Sequence, residues 1–168
     1  MNTRQKVVTL EQLEIIVADL KKQGKKIVTK NGAFDLLHVG HIRMLEASKA
    51  LGDILIVGVN SDSSIKQYKS DIRPIISEND RAEMVAALAC VDFVTIYNEL
   101  DPRNFLEIVK PDIHTGPGNF KVEAMLETPT VEKNGGKVVI IPRTPHESTT
   151  NIIERIAKYY ASKNSQKK

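Results

Sequence analysis

The chain has 168 residues, of which 27% are charged and 41% hydrophobic, a composition that excludes collagenous, disordered and membrane-spanning classes. One domain accommodates this length, burying roughly two-thirds of its unfolded surface. Net charge is only +3 and aromatic residues are 5% without interleaved basic ones, so neither a nucleic-acid nor a membrane partner is expected.

The polar, basic start at 1–9 lacks the apolar stretch of a secretory signal, which predicts a cytoplasmic protein. Over 9–22, Leu10, Leu13, Ile16, Val17 and Leu20 recur near helical spacing, predicting an amphipathic helix that ends near Gly24 and packs on the outside of the core. From Lys25 onward, β-rich runs at 27–29, 54–59, 93–96, 113–115 and 138–141 alternate with helical patterns at 41–51, 77–88, 102–109, 122–133 and 149–160. Such alternation predicts an α/β fold, a Rossmann-like, doubly wound parallel sheet with helices on both faces. The longest apolar run, Ile54-Leu55-Ile56-Val57, is strand-sized. Cys90, the single cysteine, lies in an apolar stretch and reads as a packed, inert thiol. Val91, Phe93 and Val94 suit either core or an interface. Lys163, Lys167 and Lys168 make a basic, solvated tail.

In doubly wound sheets, ligands bind outside the carboxyl ends of the strands, at a topological switch point. After the first strand comes Asn31-Gly32-Ala33-Phe34-Asp35-Leu36-Leu37-His38-Val39-Gly40-His41, leading directly into a helix. A helix start offers free amide donors and partial positive charge, which suit phosphate oxygens. His38 and His41 add directed imidazole donors, while Gly32 and Gly40 clear space for close approach. A metal pair is the competing reading of two neighbouring histidines, but no third ligand is evident, and no protein metal site is predicted. Further along, Ser148, Thr149 and Thr150 precede a helical run with Ile152, Ile153 and Ile156 on one face. They read as a helix cap, a second phosphate site, or both.

Gly32-x-Phe34-Asp35-x-x-His38-x-Gly40-His41 resembles the signature of the cytidylyltransferase-like nucleotidyltransferases. The resemblance implies that both histidines contact a nucleoside triphosphate and stabilise the reacting α-phosphate. The segment 59–66, with Arg73-Pro74, Asp80-Arg81, 89–92 and 148–153, is similar to the adenylyltransferase domains that make ADP-activated heptose, so the likeness runs over about 25–157. It implies a nucleotidyltransferase domain at 25–161, a helical extension at 1–24 and a tail at 162–168.

From this resemblance His38, His41 and Lys66 are expected to be catalytic, with Lys66 neutralising charge. Asn31, Gly32, Ala33, Phe34, Gly40, His41, Arg143, Ser148, Thr149 and Thr150 are expected to bind nucleotide. Asp35, Arg73, Arg81, Gly118 and Asn119 are expected at the acceptor. Lys69 is a weaker candidate than Arg73 or Arg81. Mg²⁺ is expected on the triphosphate, held mainly by phosphates and water. A homodimer is expected as well.

Two departures stand out. Where the heptose enzymes typically read Lys-Gly-Gly-Asp-Tyr, this chain reads Gly116-Pro117-Gly118-Asn119-Phe120, and both charges are missing. His114, just before, is either a replacement polar contact or a strand-end residue. Pro142-Arg143-Thr144 is similar to a segment of glycerol-3-phosphate cytidylyltransferases, so the base stays open, with ATP favoured over CTP. The leading expectation is ATP plus a phosphorylated sugar such as heptose 1-phosphate. Its alternatives are CTP with glycerol 3-phosphate or another phosphorylated polar metabolite, and a nucleotide-binding sensor without turnover.

Overall fold

The computed structural model describes residues 2–70, 72–118, 120–145 and 148–165. Its centre is a sheet of five parallel strands, β1 (Ile27–Gly32), β2 (Ile54–Asn60), β3 (Phe93–Tyr97), β4 (Ile113–Pro117) and β5 (Lys137–Ile141), in the order β3-β2-β1-β4-β5. Helices α1 (Leu10–Lys22), α2 (Val39–Lys49), α3 (Asp62–Tyr68), α4 (Glu78–Ala86), α5 (Arg103–Val109), α6 (Thr128–Lys133) and α7 (Thr149–Ser165) connect or flank them. The doubly wound α/β fold expected from the sequence is thus the fold observed.

Alternation along the strands divides the core in two. Val28, Leu55, Val57 and Val59 face α2 and α4, packing on Leu45, Ala82, Val85 and Ala86. Ile27, Ile56 and Tyr97 face the other way, onto Leu13 and Val17 of α1 and Phe105, Leu106 and Val109 of α5. Because side chains in a strand alternate, a sheet covered on both faces needs apolar residues at nearly every position. Here α1 supplies one of the covering layers, with Leu13 fully buried. Thr9 starts that helix through a reciprocal capping box with Gln12.

Val91 and Val94 are buried in the core and Phe93 packs against it, which decides between the two readings of that region. Cys90 also packs on the α2/α4 side, and burial pushes its thiol pKa up, as for an unreactive thiol.

The single helix expected over 122–133 is a correction. A short 3₁₀ turn (Val122–Ala124) is followed, after a break, by α6. Pro129 lacks an amide hydrogen and is tolerated only in a first helical turn, so the helix restarts around it. Helix α3 escaped the sequence reading because its seven residues bury only Ser64 and Ile65, too few to set up a period. The last helix runs past the expected 160 to Ser165. Among the described residues no helix is long and apolar enough to cross a membrane.

Candidate active site

In this strand order the chain winds away from β1 in both directions, placing the switch point between β1 and β4. There a cleft of about 340 Å³ opens, lined by Lys30 through Phe34, His38, Gly40, His41 and Met44 on one side. Pro117, Gly118, residues 141–144 and Ser148, Thr149 and Thr150 line the other, with Lys69 at its margin. The cleft brings together residues more than a hundred positions apart in sequence.

His38 is the N-cap of α2 in extended conformation, and its carbonyl accepts from the His41 amide at 2.9 Å. This turn stacks the two imidazoles, with ring centroids 3.9 Å apart and planes inclined by 26°. The Phe34 ring lies 5.3 Å from that of His41. Phe34 adopts φ 49°, a left-handed conformation that a bulky residue rarely holds, and it does so at the cleft wall. A Cβ on Gly32 would come within 3.2 Å of the Phe34 ring, so the glycine lets the ring fold back over the strand end.

Burial, the neighbouring His38 and the positive charge of Lys30 together push the His41 pKa down to about 4. In the free protein His41 is therefore neutral at pH 7, and its buried Nδ1 has no hydrogen-bond partner among the described residues. The amides of Val39 and Gly40, in the first turn of α2, have no intrahelical carbonyl to reach. The α2 terminus thus presents amide donors and imidazole nitrogens together.

The second helix start faces the first. Ser148 Oγ accepts from the Asn151 amide at 3.1 Å, so it caps α7 and its cap function is met. Thr149 leans toward the Leu36 carbonyl at 3.5 Å, and Thr150 lies exposed on the cleft. Gly118 lets the β4 and β5 ends approach: a Cβ there would lie 2.7 Å from the Arg143 amide nitrogen and 2.9 Å from the Ile141 carbonyl oxygen. Arg143 lines the same wall. Asn119 lies outside the described residues. Asn31 turns its amide to Tyr97 Oη at 3.2 Å.

Other expected site residues sit behind the wall. Asp35, 1% exposed, accepts from Arg73 Nε at 2.5 Å and from the Ile75 and Ile76 amides at 2.8 and 3.1 Å. Arg81, fully buried, donates to the Ile76 carbonyl at 2.9 Å, to Asp62 Oδ1 at 2.6 Å and to the Ala33 carbonyl. Together they tie the 33–35 wall of the cleft to the 73–76 loop and α3. Lys66, on α3, is exposed and does not line the cleft, whereas Lys69, at the C-terminal end of that helix, does.

His114 is a fully buried core residue, not a cleft contact: its Nδ1 meets Thr29 Oγ1 at 2.9 Å, and burial with Lys30 nearby pushes its pKa down to about 3. Since the folded pKa lies below the ordinary 6.5, the stability this neutral ring contributes is present above that value and is lost as pH falls toward 3. At pH 5 the loss is about 2 kcal/mol, and His41 acts in the same direction. His114→Gln is expected to flatten the fall of Tm between pH 7 and pH 5, as read by thermal melts. An unchanged slope would contradict it.

The sequence reading missed Lys30. A cation within the buried central strand was its signal, since such strands are otherwise apolar. Among the described residues no group of three or more His, Cys, Asp or Glu is placed to hold a metal ion, and no carboxylate lines the cleft.

Stacked histidines at one helix start, hydroxyls at a second and a glycine-cleared floor meet at the switch point of a parallel sheet, an arrangement suited to phosphate oxygens. The chain belongs to the cytidylyltransferase-like family, whose model matches residues 30–155. The bifunctional protein HldE of Geobacter sulfurreducens is 41% identical over 155 residues, covering 92% of this chain and 32% of that protein. HldE of Desulfatibacillum aliphaticivorans is 44% identical over 153 residues, covering 90% and 31%. The chain therefore spans about a third of the length of these relatives. Among solved structures, a lipopolysaccharide core biosynthesis protein from Thermoplasma volcanium is similar with TM-score 0.62 and 34% identity, over 74% of this chain and all of that one. Pantoate-beta-alanine ligase from Francisella tularensis shares the fold, with TM-score 0.58 and 17% identity over 83% of this chain and 68% of its own.

Proposed function

We propose that this chain transfers the nucleotidyl group of a nucleoside triphosphate, ATP in the first place, to a phosphorylated sugar such as heptose 1-phosphate. An oxygen of the acceptor phosphate attacks the α-phosphorus in line. The new P–O bond forms as the bond between the α-phosphorus and the bridging oxygen breaks, and pyrophosphate leaves with that oxygen's electron pair. Such transfers need positioning and charge stabilisation more than covalent help.

The observation that carries this reading is the His38–His41 stack at the α2 terminus, facing the α7 terminus across one cleft. His38 and His41 take the α- and β-phosphates, the backbone of 32–34 borders the nucleotide, and Thr149 and Thr150 receive terminal phosphate oxygens. Likeness to the HldE proteins and to a lipopolysaccharide core biosynthesis protein supports a sugar acceptor. Mg²⁺ would come with the triphosphate, held mainly by phosphates and water, and would supply further neutralisation of the phosphate charge. Asp35 and Arg81 brace the wall, while Lys69 and Gly118 border the acceptor side.

Arg143 in the cleft favours a second reading, CTP with glycerol 3-phosphate. Pyrophosphate release measured for ATP and CTP against heptose 1-phosphate, other sugar phosphates and glycerol 3-phosphate is expected to be fastest with ATP and heptose 1-phosphate. Faster release with CTP and glycerol 3-phosphate would establish the second reading. Tight nucleotide binding with no release from any acceptor would replace both with a sensor.

A further inference from the structure

Lys30 stands on the central strand with only 4% of its surface exposed. Lysine is rarely buried without a partner for its charge, because desolvating an ammonium is costly. Its Nζ donates to the Thr115 carbonyl at 2.9 Å, a neutral acceptor, and among the described residues it makes no ion pair with a carboxylate. The titratable groups that bear on it are His41 on α2, His114 on β4 and Glu127 before α6, of which only Glu127 favours its charge. Burial, opposed weakly by Glu127, pushes its pKa down to about 8. The free protein thus holds a cation whose counter-charge is incomplete.

The same side chain lines the floor of the cleft beside His41 and Gly32. An ammonium has three donors, and the Thr115 carbonyl takes one. On the neighbouring strand, a Cβ at Gly116 would lie 2.5 Å from Met125 Sδ, so Met125 occupies the space into which a side chain from that position would grow.

We infer that Lys30 is a catalytic residue of this site: held by the Thr115 carbonyl, its ammonium donates to the triphosphate on the cleft floor and neutralises charge that builds as pyrophosphate leaves. The inference rests on the nucleotidyl-transfer reading. The incoming phosphates provide the counter-charge, so nucleotide binding draws a proton onto Lys30 near its own pKa. His41, neutral down to about pH 4, and His114, neutral down to about pH 3, titrate far below that range.

The test is calorimetric titration of ATP, CTP and inorganic tripolyphosphate into the full chain and into Lys30→Met and Lys30→Arg, at pH 7 and pH 8.5, in buffers of differing ionisation enthalpy. Lys30→Met is expected to weaken nucleotide and tripolyphosphate binding roughly 10- to 100-fold at pH 7, the scale of one hydrogen bond to a charged group. Wild type is expected to take up a proton on binding at pH 8.5. Lys30→Met takes up none, and Lys30→Arg retains affinity without the uptake. The unliganded melting temperature of Lys30→Met is expected to equal or exceed that of wild type, which separates lost binding from lost folding. Lys30→Thr repeats the measurement should Lys30→Met melt lower.

Wild-type affinity in both neutral variants, or proton uptake that persists in them, overturns the assignment while leaving the nucleotidyl-transfer reading standing. If wild type binds tripolyphosphate in a Lys30-dependent way but no nucleotide, the reading fails and the Lys30 phosphate site survives. Failure of wild type to bind any of the three ligands ends both.

Discussion

His41→Ala is expected to lower kcat by roughly 10²- to 10³-fold, the usual consequence of removing one donor aimed at charge that develops in a transition state. His38→Ala is expected to fall in the same range, because the two rings are stacked and one orients the other. The double variant should lose much less than the product of the two factors, since groups that act as a unit are not additive. Steady-state pyrophosphate release, with circular dichroism to verify folding, measures all three. With the His41 pKa at about 4 in the free protein, kcat/KM should show no limb from His41 between pH 6 and pH 7.5. A limb is expected instead above pH 8, where Lys30 loses its proton. Unchanged turnover in both single variants would sink the histidine mechanism.

Arg81→Met is expected to destabilise the fold by roughly 3 kcal/mol, lowering Tm by about 6–12 °C for a chain of this size. The side chain is fully buried, and its three bonds join α4 to the Ile76 carbonyl, to Asp62 and to the Ala33 carbonyl at the cleft wall. Methionine fills the space but leaves buried carbonyls without donors. Asp62→Asn should cost far less, about 1 kcal/mol, because its side chain is 34% exposed and water replaces part of what is lost. Thermal or denaturant unfolding of both variants checks the ordering. Equal losses would mean that the ion pair, rather than the carbonyl bonds, holds the wall.

Arg81 also shows where sequence reading stops. The resemblance placed it with Arg73 and Asp35 at the acceptor, and by residue type an arginine near a phosphate site is an anion clamp. In the fold, the clamp closes on the protein's own backbone. Lys66 and Lys69 differ by three positions, and only Lys69 reaches the cleft. Nothing local distinguishes them, because α3 is a single short element held at its start by Asn60 at the end of β2 and by Glu78 and Arg81 of α4. Lys30 was hidden for the opposite reason: a run of strand residues does not reveal which neighbour lies beside it. Its meaning depends on Thr115 and Gly116, whose strand is brought next to β1 by the crossover.

By itself the sequence determined what local physics decides. Strand-length apolar runs, helical periods and the caps at Thr9, Ser61 and Ser77 arise from neighbours a few residues apart, and so does the placing of two histidines on one turn at a helix start. Their order along the chain specified a doubly wound sheet, and hence a ligand site beyond its first strand. The tertiary structure alone decided which charges face the ligand. Whether a cation binds substrate or braces a loop depends on burial and on partners brought in from distant segments, and these arise only when the strands are packed side by side.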